Sequence, residues 1–348
     1  MKLIHCADIH LGAPLKQNLS KEHSRERKNE LLYTFQAMVE YGQKNQVDAI
    51  LISGDLFDGQ VVPNKVGLVV RECIENAPQI EFFYLRGNHD ANDYFGWKEK
   101  CPENLHLFCD EWKSYLCKDV VISGIEITDR NKDSMYEALQ LREEDHNIVM
   151  LHGYEEISMK RLKNRGIDYL ALGHLHCYQE GKIDERGQFC YPGCLEGRGF
   201  DECGEKGFVL ITMKNGFFEK EFIPFAKRQI HEVEVDVSGV TAYTEMENRL
   251  KDALADVLEQ DLVRVKAIGE VPLEWGIDLG YFQQKYGEEY YFFEIKDRTK
   301  LQIDRECFAY DMSLKGEFIR LCMEQNLPEE ERKRIMELGI RALMEEEL

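Results

Sequence analysis

At 348 residues the chain can build one large core or a main domain with a smaller one, and two domains are expected. Hydrophobic residues at 43% beside charged residues at 31% exclude a disordered or fibrous chain, and no stretch approaches the apolar length that spans a bilayer. The 65 acidic against 44 basic side chains give a net charge of -21, which argues against non-specific adhesion to nucleic acid or anionic membrane.

The opening MKLIHCADIH reaches Asp8 before any long apolar core, so no signal peptide is read and a cytoplasmic location is expected. Eleven cysteines without a C-x-x-C pair read as reduced thiols. Cys190 and Cys194 lie close together but have no second pair at zinc-finger spacing, so they read as loop residues.

Taken in chain order, residues 1 to about 225 alternate short apolar runs with amphipathic stretches. KLIHCA is followed by a helical pattern from Ser24 to Lys44, then DAILIS, a second helical pattern from Asn64 to Asn76, and IEFFYL. That β-α-β-α-β order predicts an α/β domain on largely parallel strands. The runs DVVISGIEI, NIVML, YLALG, QFCYPG, GFVLITM and FFEKEFIPF follow at closer spacing, where the sheet is expected to turn mixed or antiparallel. After Pro224 the texture changes to strand, helix (Thr244 to Glu259), strand, helix and strand, which divides the chain into domains 1–228 and 229–348. Residues 328–348 read as a terminal amphipathic helix, acidic in its first turn and apolar at Ile335, Leu338, Ala342 and Leu343.

Five of the apolar runs end in chemistry-bearing residues. Asp8 and His10, two apart, leave the same face of an extended backbone. Asp55 and Asp58 follow Gly54 at the carboxyl end of the second run, where α/β sheets gather functional side chains. Gly87-Asn88-His89-Asp90 ends the third run, His152-Gly153 a later one, and Gly173-His174-Leu175-His176 the next. One histidine at a strand end is usually a hydrogen-bonded structural residue. Five histidines so placed, out of ten in the chain, exceed what that explanation covers. Asp8, His10, Asp55, Asn88, His152, His174 and His176 offer oxygen and nitrogen donors suited to manganese, iron or zinc, without the thiolates of a structural zinc site.

The order D-x-H, G-D-x-x-D, G-N-H-D, H-G, G-H-x-H over residues 1 to about 225 resembles the calcineurin-like metallophosphoesterase superfamily. HCADIHLGAPL, the GDLFD form of the second motif, GHLHCYQE and YPGCLEGRGFDECGEKGFVLI are most similar to the SbcD and YhaO group of bacterial DNA repair exonucleases. The resemblance implies a four-layer sandwich, two central mixed sheets flanked by helices, with a smaller C-terminal α/β cap.

It also implies two divalent ions, manganese first and iron or zinc as alternatives. One would be held by Asp8, His10, Asp55 and His176, the other by Asp55, Asn88, His152 and His174, with Asp55 bridging. His89 would protonate the leaving oxygen, with Asp90 orienting its ring, and the part played by Asp58 stays open. The implied activity is exonucleolytic cleavage of DNA, with endonuclease action open beside it. The implied partners are an SMC-like ATPase, onto which helix 328–348 could dock, and a second copy of the chain.

Gly59 follows Asp58 and Asp90 follows His89, where the protein-phosphatase branch has arginine and glutamate, which disfavours a phosphoprotein substrate. The run from Lys16 to Lys28 concentrates basic residues after the first motif, and Arg25, Arg27 and Lys28 are its candidate phosphate contacts. A solvated helix start would explain the run equally. A small-nucleotide phosphodiesterase and a non-catalytic scaffold on the same fold stand as the alternative functions.

Overall fold

The computed structural model describes residues 1–13, 19–59, 63–90, 101–273, 275–303, 308 and 310–343. They divide into two compact units, Met1–Ile230 and His231–Leu348.

The first unit runs β1 (Lys2–Cys6), α1 (Lys21–Lys44), β2 (Ala49–Ser53), α2 (Asn64–Glu75), β3 (Glu81–Leu85), β4 (Leu105–Leu107), β5 (Lys113–Cys117) and β6 (Val120–Gly124). It continues through α3 (Met135–Ala138), β7 (His146–His152), α4 (Met159–Leu162), β8 (Tyr169–Gly173), β9 (Gln179–Lys182), β10 (Gln188–Tyr191), β11 (Gly207–Lys214) and β12 (Phe217–Pro224). Two six-stranded mixed sheets result, ordered β12-β11-β1-β2-β3-β4 and β5-β6-β7-β8-β10-β9. In the first, β1 to β4 are parallel, and β11 and β12 add antiparallel strands beside β1.

In the second sheet β6, β7, β8 and β10 are parallel neighbours, and antiparallel pairing is confined to the edge strands β5 and β9. The close spacing of these runs pointed further toward antiparallel order than the structure goes. The crossovers carry α3 and α4, single turns too short to leave an amphipathic pattern.

Alternation along each strand assigns its two faces to different layers. In β1, Ile4 and Cys6 face α1 and α2, packing with Phe35, Met38, Val70 and Ile74, whereas Leu3 faces the second sheet. In β7, Ile148 and Met150 point at the first sheet while Val149 and Leu151 meet Met135, Tyr136 and Leu162 on the outer side. Both faces are buried, which is why these strands read as unbroken apolar runs. The result is a four-layer sandwich of helices, sheet, sheet and helices.

The second unit contains β13 (Ile230–Asp236), α5 (Tyr243–Ala253), β14 (Leu262–Ile268), β15 (Glu270–Pro272), α6 (Leu279–Glu289), β16 (Phe292–Asp297), β17 (Lys300–Gln302), α7 (Leu314–Glu324) and α8 (Glu329–Leu343). A three-stranded sheet, β13-β14-β16, packs Val235, Val263 and Val265 against Met246, Leu250 and Phe282 of the helices. The face of α8 differs from the expectation. Met336 and Ile340 pack on Ile319 and Cys322 of α7, while Ile335 and Leu338 are exposed at 38% and 49%. The end of the expected helix, 344–348, lies outside the described residues. Among those described, no helix is long and apolar enough to cross a membrane.

Candidate metal centre

The parallel strands β1, β2, β3, β7 and β8 all deliver their carboxyl ends to one place, and each end carries a donor. Asp8 and His10 follow β1, Asp55 follows β2, Asn88 follows β3, His152 closes β7, and His174 and His176 follow β8. Asp8, His10, Asp55 and His174 all adopt positive φ, at 51°, 50°, 51° and 106°. Side chains bearing a Cβ avoid that region, and such strain persists where surrounding structure and function hold it.

Backbone hydrogen bonds lock the loops together. Asp8 N donates to Gly54 O at 3.1 Å, His10 N to Asp55 O at 2.9 Å, and His174 N to Asp8 Oδ2 at 3.0 Å. His89 N donates to Asp55 Oδ1 at 2.8 Å. Gly54 is glycine for a reason of space as well as its φ of +91°, since a Cβ there would fall 2.1 Å from His152 Nδ1. At Gly87 a Cβ would fall 2.2 Å from Asp55 Oδ1.

The donor atoms converge. His10 Nε2 stands 3.3 Å from His176 Nε2 and 3.7 Å from Asp55 Oδ2, and His176 Nε2 is 3.9 Å from Asp8 Oδ1. On the other side His152 Nε2 lies 3.4 Å from Asp55 Oδ2 and 3.0 Å from Asn88 Oδ1, which is 3.2 Å from His174 Nδ1. Asp8, His10 and His176 form one group whose ligand atoms lie within 4.8 Å of one another; Asp8, Asp55 and His152 form another, and His10, Asp58 and His89 a third. His152 Nδ1 is 2.9 Å from Ser53 O, so its proton sits on Nδ1 and Nε2 keeps its lone pair for the cluster.

The electrostatics suit a divalent cation. Burial pushes the Asp8 carboxyl up to about 6 and drops the His10 imidazole to about 2. Asp55 is held at about 2 although burial opposes this, because the His152 hydrogen bond and the charges of His152 and His10 outweigh it. Burial likewise opposes the rise of His152 to about 9, driven by Asp55 and Asp8. His10 Nδ1 is buried without a hydrogen bond. Buried carboxylates and imidazoles over such distances are a hard-to-borderline donor set, and a cation of higher charge can take the place of the proton that Asp55 and Asp8 hold on His152.

His89 stands outside these donors, 48% exposed, with Nδ1 2.8 Å from Asp58 Oδ1. The carboxylate on the His89 ring is therefore Asp58, where the sequence pointed to Asp90. Asp90 instead accepts from Phe57 N and Gly87 N, both at 2.9 Å, and holds the β2 and β3 loops together. Adjacent in sequence to His89, Asp90 turns its two carboxylate oxygens to these backbone amides.

Arg27 also departs from the expectation of a phosphate contact. It is fully buried, and its guanidinium donates to Glu30, Glu196 and Gly197 O. Lys227 and Arg228 close the same network on Glu30. Arg25 and Lys28 are exposed on the outer side of α1, and residues 16–18 of the basic run lie outside the described residues. Cys190 and Cys194 are buried and, among the described residues, belong to no donor group. Two residues to which the sequence reading assigned no role reach the centre: Arg198 and Glu202, with Glu202 Oε1 2.8 Å from His176 Nδ1. Both lie in the block YPGCLEGRGFDECGEKGFVLI that carries part of the family resemblance, but nothing in its spacing ties them to a histidine 22 and 26 residues away.

The chain matches the calcineurin-like phosphoesterase family over residues 1–178, a span that contains all seven donors, Asp58 and His89. It belongs to that family. As a metallophosphoesterase it is a phosphoester hydrolase that works with divalent metal ions. It is 27% identical over 305 residues to the metallophosphoesterase YhaO of Bacillus subtilis (strain 168), covering 79% of this chain and 73% of that protein. It is 24% identical over 295 residues to the DNA double-strand break repair protein Mre11 of Aeropyrum pernix, covering 74% and 69%. Among solved structures, TT1561 of Thermus thermophilus is similar with 12% identity and a TM-score of 0.42, covering 64% of this metallophosphoesterase and 98% of that chain.

Proposed function

We propose that this metallophosphoesterase is a DNA exonuclease that cleaves phosphodiester bonds with two divalent ions. The convergence of seven oxygen and nitrogen donors on one point, with the His89–Asp58 pair beside them, carries the reading. The similarity to the DNA double-strand break repair protein Mre11 supports DNA as the substrate. In this reading Asp8, His10, Asp55 and His176 hold one ion and Asp55, Asn88, His152 and His174 the other; manganese suits the set first, with iron or zinc as alternatives. Bound ions of this kind neutralise phosphate oxygens and lower the pKa of a water.

The protein's own part is orientation and proton delivery. His89 presents Nε2 to the leaving oxygen and gives it a proton, while the Asp58 carboxylate keeps the proton-bearing Nδ1 turned away from the substrate. Asp90 keeps the loop that bears His89 in register with the Asp55 loop. The net charge of -21 is poor for DNA binding by this chain alone, which favours action beside an SMC-like ATPase that supplies basic surface; a dimer in the cytoplasm is the setting the family resemblance implies for it.

One observation favours a second reading, a phosphodiesterase for small nucleotides. A cavity of about 780 Å³ beside Asn88, His152 and His174 is lined by Asp110, Glu126, Asp129 and Glu156, and its cations Arg86 and Lys132 are bonded to Glu126 and Asp129. Such a wall admits one phosphate more readily than a run of them. Linear DNA, circular DNA, cyclic nucleotides and an aryl phosphodiester, each tested with manganese against wild type and His89→Ala, separate the readings. Cleavage of linear DNA that His89→Ala abolishes is expected; turnover of a small diester with DNA left intact refutes the nuclease assignment. A chain that binds no divalent metal would be a scaffold.

A further inference from the structure

The loop 192–206 joins β10 to β11 and lies beyond the span of the family match, yet it reaches the metal centre. Arg198 and Glu202, 4% and 2% exposed, form a forked pair within it. Arg198 Nη2 donates to Glu202 Oε1 at 2.8 Å and Nε to Oε2 at 3.4 Å, and the Arg198 amide donates to Oε2 at 2.7 Å. A buried ion pair contributes little stability compared with an apolar pair of the same volume, so stability alone does not account for it.

Both ends of the pair meet residues of the centre. Glu202 Oε1 is 2.8 Å from His176 Nδ1. A carboxylate already held by arginine offers only lone pairs, so the shared proton sits on Nδ1. Arg198 Nη2 lies 3.2 Å from the same nitrogen but is nearer the carboxylate, to which it donates. His176 Nε2 is then left with its lone pair among Asp8 and His10. At the other end Arg198 Nη1 faces Asp58 Oδ2 at 3.8 Å, behind the Oδ1 that holds His89.

We infer that Glu202 and Arg198 are positioning residues of this centre: Glu202 fixes the ligating tautomer of His176, and Arg198 ties that carboxylate to Asp58 and so couples the ligand shell to His89. The inference rests on the donor assignment proposed above. A hydrogen-bonded carboxylate behind a metal-binding imidazole sets ring orientation and basicity, and its loss weakens metal binding by about 10–100-fold.

The test is calorimetric titration of the metal-stripped full chain with manganese, with metal content and metal-free melting temperature measured in parallel. Wild type is expected to take up two ions. Glu202→Gln is expected to weaken one of the two binding events by about 10–100-fold and leave the other, alongside the lower metal-free melting temperature that loss of a buried charge partner brings by itself. Glu202→Asp keeps the charge and should recover part of the loss. Arg198→Lys keeps a charge but not the fork, so at saturating manganese it should lower kcat on an aryl phosphodiester with little change in KM. Two wild-type-like binding events in Glu202→Gln overturn the inference, as does an equal weakening of both, which would mark a merely structural pair. A wild-type chain that binds no manganese defeats the donor assignment itself, a result distinct from either.

Discussion

If His89 delivers the proton as proposed, Asp58 acts through it, and that dependence has a measurable form. The Asp58 Oδ1 to His89 Nδ1 contact is 2.8 Å, and Asp58 is only 17% exposed, so the bond is short and partly shielded from water. A hydrogen bond to a charged group contributes about 1.5–3 kcal/mol. At about 1.4 kcal/mol per factor of ten, Asp58→Asn should lower kcat by about 10–150-fold. His89→Ala removes the proton donor and should lower it by about 10²–10⁴-fold. Because the carboxylate works through the ring, the double variant should be no slower than His89→Ala alone, a coupling equal to the whole Asp58 effect. Initial rates on an aryl phosphodiester at saturating manganese, with metal content checked for each variant, measure the cycle. Losses that multiply in the double variant would show Asp58 acting independently of His89 and refute the reasoning.

Arg27 and its exposed neighbours should behave oppositely. Arg27→Ala leaves Glu30 and Glu196 buried without one of their cations and should destabilise the chain by about 3–5 kcal/mol, with no change in the salt slope of DNA binding. Arg25→Ala and Lys28→Ala should melt as wild type and, if these side chains touch phosphates, each should reduce that slope by about one; a wild-type melting curve for Arg27→Ala would show its network to be inert. Glu30 sets an acid limit on stability. Burial opposes its ionisation, but hydrogen bonds from Arg228, Lys227 and Arg27 outweigh it and lower the carboxyl from 4.5 to about 2. A group lowered in the folded state stabilises fully above its unfolded pKa and loses that contribution as pH falls through the folded one, here between about 4.5 and 2. The shift corresponds to about 3 kcal/mol, so wild type should lose more stability to urea between pH 5 and pH 2.5 than Glu30→Gln, and equal losses would contradict it.

Much of the first unit was legible because its strands are buried on both faces and its first two helices are long. The runs that became β1, β2, β3, β7 and β8 needed only apolar length and flanking breaks to be read. β4, β5 and β9 were not read: β9 is exposed along most of its length, and β5 and β9 are edge strands that carry little of the core pattern. In the second unit the exposed Ile335 and Leu338 misdirected the reading of α8, since an apolar residue in a sequence carries no mark of which face finds a partner.

The sequence by itself determined which residues could bind metal, because donor type is a property of the side chain and each donor ends an apolar run that must be a buried strand. Their meeting at one edge follows from parallel order, which a βαβ alternation already implies. Only the tertiary structure decided who holds the donors. Asp58 rather than Asp90 meets His89, Arg27 turns into a buried network, and Glu202 reaches His176 across 26 positions of chain. These are contacts between loops brought together by folding, and no local spacing in the chain records them.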